Sequence, residues 1–167
     1  MPGCSIPVVR VHGVDVDWVR FPAARLITKN MSKNIEILAR AFIVKDGEVL
    51  LCKVKSKDNY FFPGGHVEYG ESVENALKRE LREEIGKELE DINFIGICEN
   101  TFQFMGEHQE INLVFEAQMP GRDFSVLEDH MEFDWFPLDK IESMNVLPES
   151  LKKEFLEWVK DKKVFYI

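Results

Sequence analysis

The chain has 167 residues, 45% apolar and 31% charged, with 30 acids against 21 bases and a net charge of −9. That length and balance exclude a disordered polymer and give one domain's worth of chain with a real core, while the acidity argues against a face that tracks a nucleic-acid backbone. No apolar run approaches the roughly 18 residues of a membrane helix, no secretion signal is evident, and Cys4, Cys52 and Cys98 form no CxxC pair, so free thiols in a reducing cytoplasm are expected, with Cys52 and Cys98 as small core residues.

Residues 1–34 stand apart from the rest. Pro2, Gly3, Pro7, Gly13 and Pro22 argue against helix there, and Val14, Val16 and Trp18 alternate with Asp15 and Asp17 as a strand does. This extension could be an added strand, a dimerisation arm or a tail, and the sequence does not choose. From residue 35 to 167 the pattern is that of a regular domain. Ile35 to Val44 reads as a strand, Asp46-Gly47 as a hairpin turn, and Val49 to Val54 as the returning strand. Tyr60-Phe61-Phe62-Pro63 leads into Gly64-Gly65. Ser72 to Ile85 reads as a helix capped by Ser72 and ended by Gly86. Two long strands follow, Ile92 to Phe104 and Glu110 to Met119, and then a polar loop and a strand from Phe133 to Leu138. A last helix carries Leu147, Leu151, Phe155, Trp158 and Val159 on one side, with Pro148 suited to its first turn. Strands with two helices and few βαβ units predict an α/β fold, a mixed sheet covered on both faces.

The first of those helices carries the chemistry. At about 100° per residue, Val73, Leu77, Leu81 and Ile85 form an apolar stripe. Glu84 projects inside that stripe, Glu80 lies beside it, and Glu83 lies beyond Glu80, so the three side chains can converge. The basic residues of the helix, Lys78, Arg79 and Arg82, point mostly elsewhere on the wheel. Three carboxylates at the border of a core repel one another and resist burial. A hard divalent cation such as Mg²⁺, which takes oxygen ligands and shares them with substrate phosphates, resolves the conflict. The bland alternative is a solvated acidic face. Gly64-Gly65 adds a tight turn whose backbone can approach a ligand or ion closely.

Residues 65–87 resemble the signature of the Nudix hydrolases (the MutT-like family). Gly65 opens the pattern, Glu71 follows, and Arg79-Glu80-Leu81-Arg82-Glu83-Glu84-Ile85-Gly86 matches in register. Lys87 departs from it, standing where an aliphatic residue is usual, and Leu89 is expected to supply that packing. Phe62-Pro63-Gly64-Gly65 also resembles the usual entry to the box. The likeness of element order extends over about residues 35–160 and leaves the first 34 outside.

The resemblance implies an α/β/α sandwich and Mg²⁺- or Mn²⁺-dependent hydrolysis of a nucleoside diphosphate linked to another moiety. Glu80, Glu83 and Glu84 would be the metal carboxylates, with the Gly65 carbonyl a further ligand. Arg79 would orient the acids through an ion pair with Glu71. The general base is expected to be Glu80 or a later acid among Glu128, Glu132 and Asp134, the last two ranked first. Phe62, Gly64 and His66 are expected at the substrate. Tyr60, Phe61, Phe102 and Phe104 could stack a base, although strand core is the plainer role for each. No proline near residues 101–103 marks an ADP-ribose preference, which leaves small nucleoside triphosphates or other nucleotide derivatives. Two other readings compete: a nucleotide-sensing module without turnover, and a hydrolase of RNA 5′ ends, which the negative charge disfavours. A homodimer is a candidate assembly; no membrane or nucleic-acid partner is expected.

Overall fold

The computed structural model of the protein describes residues 33–103 and 107–167, with Arg10–Val11 and Val14–Asp15 near the N-terminus. The chain divides into two units, residues 1–30 and 31–167. In the first, β1 (Arg10–Val11) and β2 (Val14–Asp15) pair antiparallel. Val14 and Asp15 therefore lie in a strand as expected, whereas Val16, Trp18, Cys4, His12 and, further on, Phe104 fall outside the described residues.

In the second unit, β3 (Lys33–Phe42) runs to a short β4 (Val44–Lys45), which turns back into β5 (Glu48–Val54). Asp46 and Gly47 both sit at left-handed φ, 53° and 79°, the conformation that a two-residue hairpin turn demands. Helix α1 (Val73–Ile85) begins where the Ser72 hydroxyl accepts the Asn75 N–H and ends where Gly86 turns left-handed at φ 66°, so both predicted caps are present. The strands β6 (Glu90–Gln103) and β7 (Glu107–Gln118) pair antiparallel over most of their length. After them come β8 (Met131–Pro137), a 3-10 turn (Leu138–Ser143), helix α2 (Glu149–Asp161) and a final β9 (Phe165–Tyr166).

One sheet has the order β3-β7-β6-β9 and mixes parallel and antiparallel pairs; the other, β4-β5-β8, is antiparallel. Alternation along the strands divides their side chains between two cores. Ala39, Ala41, Leu50, Cys52 and Phe133 pack with Leu77, Leu81 and Ile85 of α1. Phe42, Val49, Leu51 and Val114 pack with Leu151, Phe155 and Trp158 of α2. A helix on each side of the strands is the expected α/β/α sandwich. Cys52 and Cys98 are buried free thiols, and Leu89 is buried against the α1 core, taking the packing role expected of it beside Lys87.

The last helix differs from expectation at its start. Pro148 has extended backbone, ψ 147°, and precedes the helix instead of forming its first turn. Leu147 therefore lies outside the apolar face and is exposed; its N–H donates to the Tyr60 carbonyl at 2.8 Å.

Candidate active site

The segment from Tyr60 to Val67 joins the two sheets. Phe61 exchanges backbone hydrogen bonds with Cys52 of β5, 2.8 and 3.0 Å, and the Pro63 and Gly65 carbonyls accept the Ala41 and Ala39 N–H of β3, each at 2.9 Å. Two glycines permit this close approach, for different reasons. Gly64 has φ +125°, and a Cβ on it would meet the Ala39 carbonyl oxygen at 2.1 Å. Gly65 needs no unusual φ; a Cβ there would lie 2.4–2.7 Å from the carboxylate of Glu80. The turn thus carries the Gly65 backbone directly to the acid cluster of α1.

Within that cluster Glu84 is buried, as its place in the apolar stripe predicted. Its Oε2 has no hydrogen-bond partner. Burial, and then the charges of Glu80 and Glu128, push its carboxyl up to about 8. Glu80 is largely covered and accepts a hydrogen bond from Arg79 Nη1 at 2.9 Å; Glu83 is more than half exposed and meets the same nitrogen at 3.3 Å. Arg79 Nη2 donates to Glu71 at 2.8 Å and to the His66 carbonyl at 3.0 Å. The Arg79 guanidinium beside it holds the Glu71 carboxyl below the usual carboxylate range. Arg79 therefore does not point away from the acids, as its wheel position suggested, because the long side chain folds back across the helix surface. Lys78 and Arg82 do point away, to Glu74 and Glu88.

The loop after β7 closes the far end of the site. Leu127 N–H donates to the Glu84 carbonyl at 2.7 Å, which brings the residues after it to the end of α1. Glu128 reaches His130 at 3.4 Å. Between these pieces lies a groove of about 350 Å³, whose lining includes Arg40, Gly64, Gly65, His66, Glu80, Glu84 and His130.

Not every expected residue arrives there. Glu132 and Asp134 lie on the opposite face of the β5–β8 pair from Met131 and Phe133, because neighbours on a strand point to opposite sides. Glu132 pairs with Lys53 at 3.1 Å, and Asp134 accepts the N–H of Trp135. Of the three late acids, Glu128 is the one whose charge stands among the leading causes that raise the Glu84 carboxyl. Phe62 is fully buried among Phe42 and Phe155, so its ring does not reach a substrate. His66 is exposed, lines the groove, and pairs with Glu36 at 3.0 Å. Of the aromatics, Phe61 lines the groove, Tyr60 packs edge-on against Phe136, and Phe102 stacks on His108 beside a separate cavity of about 670 Å³. The residue that sequence reasoning missed is Arg40. Its signal was a lone cation inside the otherwise apolar run from Ile37 to Val44.

Among the described residues no three acidic, histidine or cysteine side chains already converge as a closed metal shell, and Arg79 holds oxygens of Glu80 and Glu83. The donor set nevertheless suits a hard divalent cation. It offers a buried carboxylate oxygen without a partner, a second carboxylate beside it, and a glycine backbone pressed against that second group.

Residues 35–159 match the model of the NUDIX domain. A protein of Methanocaldococcus jannaschii named ADP-ribose pyrophosphatase is 30% identical over 119 residues, 70% of each chain. The nucleoside triphosphatase NudI of Escherichia fergusonii is 33% identical over 110 residues, covering 56% of this chain and 75% of that one. Among solved structures, the MutT NUDIX hydrolase from Burkholderia pseudomallei superposes with a TM-score of 0.57 at 30% identity, over 64% of this chain and 85% of its own. The NUDIX hydrolase from Nitrosomonas europaea gives 0.65 at 25% identity, over 79% and 93%. The chain belongs to the Nudix hydrolase family, whose members act on pyrophosphate bonds.

Proposed function

We propose that the protein is a Mg²⁺-dependent pyrophosphohydrolase, with Mn²⁺ as a substitute, that cleaves nucleoside diphosphates linked to another moiety, nucleoside triphosphates among them. The observation that carries this reading is Glu84: a buried carboxylate with an unpartnered oxygen, facing a groove beside Glu80. Glu80, Glu83, Glu84 and the Gly65 carbonyl would hold the cation. When bound, it neutralises phosphate oxygens and lowers the pKa of a water.

The chain's own residues supply the rest. Arg79, anchored by Glu71 and the His66 carbonyl, positions Glu80 and Glu83. Gly65 leaves room for the Glu80 carboxylate against the turn. Glu80 or Glu128 takes the proton from the attacking water, Glu128 being the late acid that acts on Glu84. His66 and the Gly64-Gly65 backbone face the phosphates across the groove.

The test is a panel containing nucleoside triphosphates, ADP-ribose, other nucleoside diphosphate derivatives and a 5′-triphosphorylated RNA, each with Mg²⁺, Mn²⁺ or EDTA. The small nucleotides should give a nucleoside monophosphate with pyrophosphate or a phosphorylated partner, and only with metal. E80Q and E84Q should each lose about 100-fold or more in kcat. Full activity in both variants, or metal-independent turnover, would overturn the assignment.

A further inference from the structure

The acid-rich groove must accept a polyanion, and the best-placed cation of α1 is already engaged. Arg79 is bonded to Glu71, Glu80, Glu83 and the His66 carbonyl. Arg40 is in a different position. It lines the groove with Glu80 and Glu84 and bears the one permanent positive charge among the described lining residues. Its Nε donates to Asn112 Oδ1 at 3.4 Å, and its Nη1 donates to the Phe62 and Gly64 carbonyls at 3.2 and 2.9 Å. Asn112 is fully buried and donates in turn to the Cys98 carbonyl at 3.4 Å. These bonds hold the guanidinium through two of its three nitrogens, Nε and Nη1. Among the described residues Nη2 has no hydrogen-bond partner, although the Arg40 charge acts on Glu84, and Nη2 is not among the buried polar atoms that lack a partner.

We infer that Arg40 is an anion-binding residue: its Nη2 donates to non-bridging phosphoryl oxygens of a substrate seated in the groove that it lines with Glu80 and Glu84. This deepens the pyrophosphohydrolase reading and rests on it. A planar, always-charged guanidinium held by three acceptors is pre-organised for phosphate, so little side-chain freedom is lost on binding. It also offsets the repulsion between a polyphosphate and a groove holding Glu80 and Glu84.

The test uses inorganic pyrophosphate in EDTA, so that no metal chemistry enters, with the full-length protein and its R40K and R40Q variants. Binding is read by calorimetry and folding by thermal melting. R40Q should weaken pyrophosphate binding about tenfold or more, and R40K should recover part of it. In turnover with nucleotide and Mg²⁺, R40Q should raise KM more than it lowers kcat. Should R40Q fail to fold, the comparison of wild type with R40K decides: the fixed guanidinium predicts tighter pyrophosphate binding than the lysine ammonium. Equal pyrophosphate affinity in wild type and either folded variant overturns the proposal and leaves Arg40 a prop for the Phe62–Gly64 turn. Pyrophosphate binding that depends on Arg40, without hydrolysis of any nucleotide, would instead sink the enzymatic reading and keep the anion site.

Discussion

Gly65→Ala separates a turn that merely folds from a turn that serves chemistry. The new methyl would lie 2.4 Å from the Glu80 carboxyl carbon, where ordinary contact begins at 3.4 Å. The carboxylate must therefore move by at least 3.4 − 2.4 = 1.0 Å. It is the far end of a flexible side chain, and the backbone at residue 65 is not strained, so folding should suffer little. The main loss is the Arg79–Glu80 hydrogen bond between partly covered groups, about 1 kcal/mol, or a Tm drop of about 2–4 °C for a chain of this size. Activity should fall far more, because a misplacement of about 1 Å at a reacting site costs on the order of 100-fold. Gly64→Ala provides the contrast: its methyl meets a main-chain oxygen at 2.1 Å and a φ of +125°, which should cost about 3 kcal/mol of stability. Thermal melting and steady-state kinetics at saturating Mg²⁺ measure both quantities. If Gly65→Ala keeps wild-type kcat, Gly65 is only a turn residue and the tight fit to Glu80 has no catalytic meaning.

The remaining predictions concern charge. Glu84 titrates near 8 in the fold against an ordinary value of 4.5. Between those values the folded state holds the extra proton, so metal-free stability should fall as pH rises from about 4.5 through about 8. In EDTA, E84Q should therefore melt above wild type at pH 8.5, with the gap closing as pH falls toward about 4.5; parallel Tm–pH curves for the two proteins would refute the burial argument. Mg²⁺ should raise the Tm of wild type at pH 8.5 and leave that of E84Q unmoved, as calorimetry would show. E132Q and D134N should retain kcat within about twofold, since both side chains lie across the sheet from the cluster, whereas E128Q should lose about tenfold or more as a proton acceptor. A reversed ranking of these three variants would return the general base to β8.

Much of this protein can be read from local pattern. Alternation and the Asp46-Gly47 pair locate the hairpin, Ser72 and Gly86 bound α1, and the period of Leu77, Leu81 and Ile85 puts Glu84 into a core. These features depend on residues near in sequence, where backbone geometry alone sets which side chains are neighbours. The same logic misjudged Phe62, which belongs to the α2 core, and Leu147, stranded outside α2 by the extended backbone of Pro148. It also ranked Glu132 and Asp134 above Glu128, since strand alternation says that two residues share a face without saying which face meets α1. Arg79 escaped the wheel because a long side chain is not confined to its Cβ direction. Arg40 and Asn112 are 72 residues apart, and only the parallel pairing of β3 with β7 makes one the support of the other. Sequence by itself thus determined the helix, its acids and the family; tertiary structure decided which distant groups face them, because that depends on how strands register across the sheet.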